Sequence, residues 1–421
     1  MERLQKGMDP SIQNQLKEIQ QADLLIGIPS YNNVRTIGHV VRAVTAGLAK
    51  YFPRAKAVLV NSDGGSTDGT QEEVRRVQIE DLKTILTSHP VYPVHKIVTP
   101  YDGIPGKGSA FRTIFEAARQ LQVKACAVVD SDLRSITPEW MELLLRPVYE
   151  DTFHYVVPLY ARHKFDGTIT NSIVYPLTRA LYGKRVRQPI GGDFGFSGDL
   201  ASLYLTQQAW ESDVARFGID IWMTTRAIVE GYRVCQSYLG AKIHDTKDAG
   251  SDLGPMFTQV VSSVYGLMEI YQDTWKRIEG TEAVPTFGFQ NAVGLEPIVV
   301  NVDRMVGNFR LGVRDLVDIW RRVLSAETTK GLKSIGRLSD EAFSLPEDLW
   351  VQVIYDFAIA YHKNTVHREH LVKSMIPLYL GRVASFVKEN LDRNAVEVEE
   401  RVESLCQVFE QMKPYLIEHW E

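Results

Sequence analysis

The chain has 421 residues, more than the roughly 100 to 200 of one ordinary domain, so a large domain with a second, smaller part is expected. The mild net charge of −5 gives no clustered basic face, which argues against a nucleic-acid partner. Three widely spaced cysteines (Cys126, Cys235, Cys406) argue against a disulfide framework, and we expect a cytoplasmic protein. The polar N-terminus lacks the apolar core of a signal peptide, and no apolar run approaches the roughly 20 residues of a membrane span.

Short runs rich in β-branched residues recur through the first half and predict strands at 23–29, 55–63, 95–100, 125–130 and 154–160. Continuous apolar runs such as Ala-Val-Leu-Val (57–60) are typical of parallel strands that are buried on both faces. Helical periodicity lies between these strands, at 37–48, 69–77 and 109–121. Alternation of strand and helix predicts a doubly wound α/β sheet.

The pattern changes after about residue 255, where long amphipathic segments predict helices. A stretch containing glycine and proline interrupts them at 280–297, and further helices are expected from 300 to the end. We therefore predict three parts: an N-terminal helical extension (1–22), an α/β domain (23–255) and a mainly helical region (256–421). The last of these is a candidate surface for a homodimer.

Three predicted strands end in candidate chemistry, at the sheet edge where α/β proteins bind ligands. Pro29 ends the first strand and Tyr31 lies just after it, Asp63 ends the second, and Asp130 ends the fourth with Asp132 two positions later. Two carboxylates one residue apart offer the oxygen ligands that Mg²⁺ prefers beside substrate phosphates. Such a metal would neutralise a leaving diphosphate. The pair alone is equally consistent with a turn or a helix cap.

Two glycine-containing loops bear on the kind of ligand. The loop 105–110, Pro-Gly-Lys-Gly-Ser-Ala, would place Lys107 near a phosphate at a helix N-terminus. It does not fit the phosphate-binding loop of nucleoside triphosphatases, and no Gly-x-Gly-x-x-Gly follows the first strand, which disfavours a dinucleotide enzyme. Asp63 could accept hydrogen bonds from a base or a ribose, or could belong to a glycine-rich turn before the next helix.

These segments together resemble the family 2 glycosyltransferases of GT-A type: Pro-Ser-Tyr-Asn-Asn, Ser-Asp-Gly-Gly-Ser-Thr-Asp-Gly-Thr and Asp-Ser-Asp. The resemblance implies a GT-A (Rossmann-like) domain that binds a nucleotide-diphospho-sugar, with a divalent metal, Mg²⁺ or Mn²⁺, at the Asp-x-Asp. It also implies donor-binding roles, for Pro29, Tyr31, Asp63, Asp130 and Ser131.

A narrower resemblance adds Pro-Gly-Lys-Gly, Arg-His-Lys-Phe-Asp-Gly-Thr-Ile-Thr, Arg-Gln-Pro-Ile-Gly-Gly-Asp-Phe, Phe-Gly-Ile-Asp-Ile-Trp-Met and Ala-Lys-Ile-His-Asp. In this order they resemble mannosylglycerate synthase and its relatives, the glucosylglycerate and glucosyl-3-phosphoglycerate synthases, over about 23 to 260 and more weakly around 371–387. The resemblance implies a retaining hexosyltransferase that acts on the 2-hydroxyl of D-glycerate or its phosphate and makes a compatible solute. The donor, GDP-glucose, GDP-mannose or UDP-glucose, stays open.

The narrower resemblance assigns individual residues. Asp130, Asp132 and His244 correspond to the metal ligands, and an imidazole makes Mn²⁺ as plausible as Mg²⁺. Lys107 corresponds to a donor-binding lysine. Asp220 corresponds to the acidic residue near the sugar, and we expect it to hold sugar or acceptor hydroxyls, since a retaining enzyme of this type needs no general base opposite the leaving group. A carboxylate favoured by a helix N-terminus is the alternative for Asp220.

Acceptor-binding residues are implied in two segments. Arg162 could hold a carboxylate through two parallel hydrogen bonds, although a surface ion pair is the usual fate of a lone arginine. Asp166 could orient a hydroxyl, and Thr170 could bind the acceptor carboxylate or hydroxyls. Gly191 and Gly192 allow close approach of the backbone.

One departure from the relatives concerns the acceptor. Relatives that use phosphoglycerate carry Gly-Arg-Val-Thr where this chain reads Gly-Thr-Ile-Thr, with Thr168 in place of the arginine. Threonine cannot supply a charge-assisted hydrogen bond to a phosphate, so free D-glycerate is favoured over 3-phosphoglycerate. Arg187 could still serve a phosphate, which keeps the second acceptor open.

Three other classes fit the sequence less well. A processive polysaccharide synthase should carry Gln-x-x-Arg-Trp and membrane spans, whereas this chain has Gln-Gln-Ala-Trp at 207–210. A sugar-phosphate nucleotidyltransferase opens with a Gly-x-Gly-Thr-Arg loop that is absent from the sequence. A non-catalytic regulator that binds a nucleotide sugar predicts broken metal ligands, whereas the aspartates and the histidine are in place.

Overall fold

The structure is a computed structural model that describes residues 10–77, 94–100, 106–150, 152–206, 218–243, 254–290, 298 and 300–421. The chain divides into two compact units, a first of residues 1–161, 190–251 and 284–293, and a second of residues 162–189, 252–283 and 294–421. The predicted division at residue 255 treats each domain as one continuous stretch. The structure instead assigns 162–189 to the second unit and 284–293 to the first.

Ten strands occur in the part of the chain that the structure describes: Leu24–Ser30 (β1), Ala57–Asp63 (β2), His95–Pro100 (β3), Ala125–Val128 (β4), Tyr155–Ala161 (β5), Lys184–Arg185 (β6), Phe194–Ser197 (β7), Val234–Ala241 (β8), Glu282–Ala283 (β9) and Thr286–Phe287 (β10). Eight of them form the sheet of the first unit, in the order β10-β8-β5-β7-β4-β1-β2-β3. β7 pairs antiparallel with β4 and β5, and the other pairings in this sheet are parallel.

The first unit contains these helices: Pro10–Ile19 (α1), Val34–Tyr51 (α2), Thr70–Arg76 (α3), Lys107–Gln120 (α4), Glu139–Tyr149 (α5), Gly198–Leu205 (α7) and Ile219–Val229 (α8). Every residue of β2 is buried, which explains its unbroken apolar run. On α2, Ile37, Val40 and Val44 share one helical face and join the same core cluster as Leu24 and Leu59 of the sheet.

The second unit is mainly helical. Its helices are Tyr175–Tyr182 (α6), Gly254–Ile270 (α9), Gln272–Trp275 (α10), Val302–Asp315 (α11), Val317–Val323 (α12), Ala326–Gly336 (α13), Glu347–His362 (α14), Arg368–Ser374 (α15), Ile376–Glu389 (α16) and Ala395–Trp420 (α17), and a π-helical turn at Thr170–Val174 leads into α6. The short strands β6 and β9 pair in parallel in this unit. Trp320, Trp350 and Trp420 are almost entirely buried and form part of its core.

The predicted α/β class with a helical C-terminal region is confirmed, and the five predicted strands correspond to β1 to β5. The prediction did not include β7 or β8. The first has four residues, and the second contains the buried polar residues Gln236 and Ser237. The three cysteines are free and buried. Among the described residues, no helix has both the length and the apolar character needed to span a bilayer.

Candidate active site at the strand ends

The loops that follow β1 and β2 are tied together by side chains. Asn32, which adopts a φ of 53°, accepts a hydrogen bond at Oδ1 from the Thr67 amide (3.0 Å) and donates its own amide to Ser66 Oγ (2.8 Å). The Asn33 amide donates to Thr70 Oγ1 (2.8 Å). The asparagines of Pro-Ser-Tyr-Asn-Asn therefore fix the two loops against each other.

Asp63 lies at the end of β2 and has no solvent exposure. Its Oδ1 accepts hydrogen bonds from Gly65 N, Ser66 N and Gln71 Nε2, and its Oδ2 accepts from Ser30 Oγ and Ser66 Oγ. Burial alone would raise the pKa of this carboxyl group, but these donors hold the pKa below its usual value. In this state the carboxylate organises its own loop, and its direct contact with a donor stays a prediction.

Pro29 lies within β1, and Tyr31 directly follows that strand. The side chain of Tyr31 is 63% exposed, and its backbone amide donates to Asn33 Oδ1 (2.9 Å). Pro29 is partly exposed within β1. An exposed aromatic ring held by a fixed backbone can stack on a nucleobase, which is consistent with the predicted role of Tyr31 in donor binding.

The Asp-Ser-Asp segment follows β4, and its central residue holds the turn in place. Ser131 Oγ donates to Asn33 Oδ1 (2.8 Å), and Thr36 Oγ1 donates to the Ser131 carbonyl (2.8 Å). Ser131 is buried. The hydroxyl of Ser131 thus connects the turn to the loop after β1, so that the flanking carboxylates of Asp130 and Asp132 have a fixed backbone.

Both carboxylate oxygens of Asp130 contact ammonium groups. Lys107 Nζ lies 2.9 Å from Oδ1, and Lys242 Nζ lies 2.7 Å from Oδ2. Burial would raise the pKa of Asp130, but the two lysines lower it well below the usual range. Burial likewise opposes the charge of Lys107, and the carboxylates of Asp130 and Asp220 overcome this and raise its pKa.

A second carboxylate, that of Asp193, lies behind this cluster without solvent exposure. Its Oδ1 accepts the backbone amide of Asp130 (2.7 Å), and its Oδ2 accepts Lys242 Nζ (2.7 Å) and the Tyr160 hydroxyl. Lys242 Nζ also donates to the Gly191 carbonyl (2.9 Å). Burial raises the pKa of Asp193, and Lys242 opposes that shift. Lys242 therefore joins the side chains of two carboxylates.

Gly192 is required by the same cluster. It has a φ of 91°, and a Cβ atom there would lie 2.4 Å from Asp130 Oδ2 and 2.8 Å from Lys242 Nζ. Its carbonyl accepts a hydrogen bond from Lys107 Nζ (3.3 Å). The close backbone approach predicted for Gly191 and Gly192 is thus an approach to the aspartate and the two lysines, and their contact with an acceptor stays a prediction.

Asp220 lies in the first turn of α8 and is buried. Its Oδ1 is 3.4 Å from Lys107 Nζ, so one ammonium group is shared between Asp220 and Asp130. Burial raises the pKa of Asp220, and Lys107 opposes this shift. The structure therefore brings together Lys107, Asp130 and Asp220, and their roles stay a prediction.

Asp193 and Lys242 were not predicted from the sequence, although both stand in segments that carry the resemblance. β7 runs antiparallel to its neighbours, so its first end lies at the sheet edge where β4 ends, and Asp193 directly precedes it. Lys242 directly follows β8, whose pairing with β5 shifts register between Leu159 and Tyr160. The signal in the sequence was a charged residue just before one of these strands, β7, and just after the other, β8.

The fit of a divalent metal can be judged from Asp132. The carboxylate of Asp132 makes no hydrogen bond or ion pair with any residue that the structure describes, and it offers the hard oxygen that Mg²⁺ or Mn²⁺ prefers. Asp130, in contrast, has both oxygens bound to lysines. No group of three metal-ligating side chains converges within the described residues, and His244 lies outside them.

The other predicted acceptor residues lie in the second unit. Arg162 forms an ion pair with Asp166 Oδ2 (3.0 Å), and Asp166 Oδ1 accepts the Gly167 amide (2.7 Å). Thr170 opens the π-helical turn. Thr168 Oγ1 lies 2.5 Å from the Tyr379 hydroxyl, within hydrogen-bonding distance.

Arg187, the alternative ligand for an acceptor phosphate, is also in the second unit. Its Nε and a terminal nitrogen bind the two oxygens of Glu399 at 2.5 and 2.8 Å. Its guanidinium also lies over the Tyr175 ring, 5.1 Å from the centroid. A phosphate at this position would have to compete with a bidentate carboxylate.

The mainly parallel sheet with one reversed strand, and the Asp-Ser-Asp turn at its edge, agree with the predicted GT-A fold. A model of the glycosyl transferase family 2 matches residues 25–197. This match covers the segment that carries the Asp-Ser-Asp turn and confirms the predicted class of enzyme, a glycosyltransferase.

Comparison with solved structures finds matches at low identity. Glucosyl-3-phosphoglycerate synthase from Mycobacterium tuberculosis, in complex with Mn²⁺, UDP and phosphoglyceric acid, is 18% identical over 60% of this chain and 81% of that chain, with a TM-score of 0.42. The same enzyme with Mg²⁺ and UDP is 18% identical over 63% and 84%, with a TM-score of 0.43. A mycobacterial protein is 20% identical over 61% and 77%, with a TM-score of 0.42. The comparison with curated proteins found no match.

Proposed function

We propose that the chain is a retaining, metal-dependent hexosyltransferase that uses a nucleotide-diphospho-sugar to glycosylate the 2-hydroxyl of D-glycerate. The observation that carries the donor half of this proposal is the pair of lysines on Asp130. Their ammonium nitrogens lie 2.9 and 2.7 Å from its two oxygens, beside an Asp-Ser-Asp turn in a family 2 domain. A preorganised cation at this point, Lys107, suits a leaving group that gains negative charge.

Lys107 and Lys242 have different tasks in this proposal. Lys107 is the first residue of α4, so an anion that it binds also meets the positive end of that helix. Lys242 has a side chain that is only 7% exposed and is held by three oxygens, from Asp130, Asp193 and Gly191. We assign Lys107 to binding the donor diphosphate. Lys242 holds the Asp130 carboxylate in place, and that carboxylate in turn fixes the ammonium group of Lys107.

Asp132 and His244 would hold the divalent metal, with Asp130 as the third member of the predicted set. A bound Mg²⁺ or Mn²⁺ supplies Lewis acidity to the diphosphate oxygens. Because Asp130 already binds two lysines, Asp132 offers the more accessible oxygen ligand among the described residues.

The transfer itself follows a retaining course in this proposal. The bond from the anomeric carbon to the diphosphate breaks, the bond to the glycerate 2-oxygen forms on the same face, and the glycerate proton passes to the leaving phosphate oxygen. Asp220 holds sugar or acceptor hydroxyls. Its ion pair with Lys107 keeps the carboxylate oriented, and burial strengthens hydrogen bonds made there.

We propose D-glycerate over 3-phosphoglycerate because one arginine is placed to bind a carboxylate, and the arginine that could bind a phosphate already has a carboxylate partner. Arg162, paired with Asp166 at 3.0 Å, can hold the acceptor carboxylate, with Thr170 and the backbone at Gly191 and Gly192 as further predicted contacts. Arg187, the cation that could hold a phosphate, already binds both oxygens of Glu399.

The test is product formation by purified protein with Mg²⁺ or Mn²⁺. GDP-glucose, GDP-mannose and UDP-glucose are crossed with D-glycerate and 3-phosphoglycerate, and NMR identifies each product and its anomeric configuration. An α-glycoside of free glycerate is the expected result. Transfer only to 3-phosphoglycerate would overturn the acceptor assignment, and a protein that binds a donor but neither transfers its sugar nor hydrolyses it would be a non-catalytic nucleotide-sugar-binding regulator.

A further inference from the structure

The segment that carries three predicted acceptor residues has a second set of residues that bond to other parts of the second unit. Residues of both sets recur every four positions, and the sets are offset by two: Arg162, Asp166 and Thr170 in one, Lys164, Thr168 and Ser172 in the other. The second set bonds to the C-terminal helices of the same unit. The C-terminal helices therefore hold this segment through residues that alternate with the three predicted acceptor-binding residues.

Lys164 makes the most extensive of these contacts. Its Nζ donates to the carbonyl oxygens of Asn390 (2.9 Å), Leu391 (2.7 Å) and Arg393 (2.8 Å), in the turn between α16 and α17. An ammonium group has three protons, so these acceptors use all of its hydrogen-bonding capacity. The carbonyls follow the C-terminal end of α16, where the helix dipole also favours a cation.

Two further bonds fix the rest of the segment. Thr168 Oγ1 lies 2.5 Å from the hydroxyl of Tyr379 on α16, which is almost entirely buried. Trp350 of α14, also buried, donates its indole N–H to the Ser172 carbonyl (2.9 Å). Three bonds to three separate places in the helical unit determine both the position and the direction of the chain from 164 to 172.

We infer that the C-terminal helices position the acceptor-binding segment, and that Lys164 is the positioning residue that does most of this. The inference rests on the proposed role of Arg162, Asp166 and Thr170 in acceptor binding. Lys164 does not touch the acceptor in this scheme. It acts by fixing the backbone that presents the three acceptor-binding side chains.

The helical unit contains a matched control. Lys388 Nζ also donates to three backbone carbonyls, those of Asp340, Glu341 (2.9 Å) and Phe343 (3.0 Å). Both lysines are partly buried, and each bonds to the backbone carbonyls of a single turn. Lys164→Met and Lys388→Met therefore remove the same kind of contact from the same unit, but only the first removes it from the acceptor segment.

The kinetic experiment compares the wild-type protein with Lys164→Met, Lys388→Met and Thr168→Val. We expect the KM for D-glycerate to rise by about tenfold in Lys164→Met and by less in Thr168→Val, since misplaced positioning groups cost rate and binding without touching the chemistry. The KM for the nucleotide sugar and the rate of donor hydrolysis without acceptor should stay unchanged. In Lys388→Met all of these quantities should match the wild type.

Hydrogen exchange of residues 162–172 is measured on the same proteins without substrates. Faster exchange in Lys164→Met but not in Lys388→Met is expected, and unchanged exchange in both would overturn the anchoring. Faster exchange with an unchanged glycerate KM would overturn the link to the acceptor. If the wild-type protein transfers no sugar to glycerate or its phosphate, the proposed function fails, whereas the exchange result still decides whether the helices hold this segment.

Discussion

Lys242 Nζ lies 2.7 Å from Oδ2 of Asp193, a carboxylate with no solvent exposure. The same nitrogen lies 2.7 Å from Asp130 Oδ2, and the opposite oxygen of Asp130 binds Lys107. Charges of alternating sign thus run from Asp193 to Asp220 through two lysines and Asp130. Such a buried network is stable only when every member is paired, so a single removal should affect the whole site.

The first prediction concerns Lys242→Met. Removal of this ammonium leaves Asp193 and Asp130 without a shared cation, and we expect a loss of about 3–5 kcal/mol in the free energy of unfolding. Glycosyltransfer should fall by at least about a hundredfold, since Asp130 loses the partner that orients it. Urea unfolding and initial-rate kinetics measure the two effects.

Lys50→Met is the control for Lys242→Met. Lys50 forms a surface ion pair with Glu139 at 3.0 Å, and exposed pairs contribute little to stability. We expect this variant to keep wild-type stability and activity. If Lys242→Met were as stable and as active as Lys50→Met, the network would have no role in either property.

The second prediction uses two glycines. Gly192→Ala places a Cβ 2.4 Å from Asp130 Oδ2, and Gly231→Ala adds a Cβ with no atom within 4 Å. Both glycines have a positive φ, 91° and 76°, so both variants carry similar backbone strain of about 1 kcal/mol. We expect Gly192→Ala alone to lose most donor hydrolysis, measured with metal and without acceptor. Equal rates in the two variants would show that the space beside Asp130 is not needed.

The sequence predicts the sheet well because β1 and β2 are buried on both faces, which leaves continuous apolar runs. It predicts Lys107 and Asp130 as site residues because Lys107 begins a helix that follows a strand, and Asp130 lies just after the end of β4. Asp193 was missed because it precedes a four-residue strand whose direction is reversed, and reversal depends on pairing that no local pattern encodes. Such long-range pairing also determines that Lys242 meets Asp193.

The division of the chain into units could not be predicted for a similar reason. Residues 162–189 follow β5 directly and were read as part of the sheet domain, yet Lys164 bonds to the turn at 390–393 and Arg179 pairs with Glu403 and Glu410 of α17. These partners lie more than two hundred positions away in the sequence. The apolar periodicity of a segment predicts its helices. Which distant segment packs against those helices depends on the folded chain and cannot be read from local periodicity.

The third prediction concerns the metal. We expect a chelator to abolish glycosyltransfer by the wild-type protein and added Mn²⁺ or Mg²⁺ to restore it. Asp132→Ala should lower activity by at least about a hundredfold and raise the Mn²⁺ concentration needed for half-maximal rate, because a divalent cation prefers carboxylate oxygen. His244→Ala should do the same. Asp318→Ala, at an exposed aspartate on α12, is the control. Wild-type turnover by either test variant would overturn the metal assignment.

The last prediction is a pH dependence of stability in the second unit. Lys413 on α17 is 6% exposed, and its Nζ donates to the Ile278 carbonyl (2.5 Å). Burial lowers the pKa of Lys413 from 10.5 to about 8, and the carboxylate of Glu410 offsets only part of that. Between these two values the unfolded chain binds more protons at this residue than the folded chain does. The free energy of unfolding should therefore rise with pH across this window, by at most about 3 kcal/mol from this residue.

Urea unfolding of the wild-type protein, Lys413→Met and Lys330→Met at intervals from pH 7 to 10.5 measures that contribution. Other groups also titrate in this range, but they are common to all three proteins, so the difference between wild type and variant isolates the lysine. Below pH 8 the wild-type protein carries the cost of a buried charge, and that cost disappears as the charge is lost. The difference between wild type and Lys413→Met should therefore change with pH only above pH 8, whereas Lys330→Met, at an exposed lysine, should follow the wild type throughout. A constant difference for Lys413→Met would mean that this side chain keeps its ordinary pKa in the folded protein.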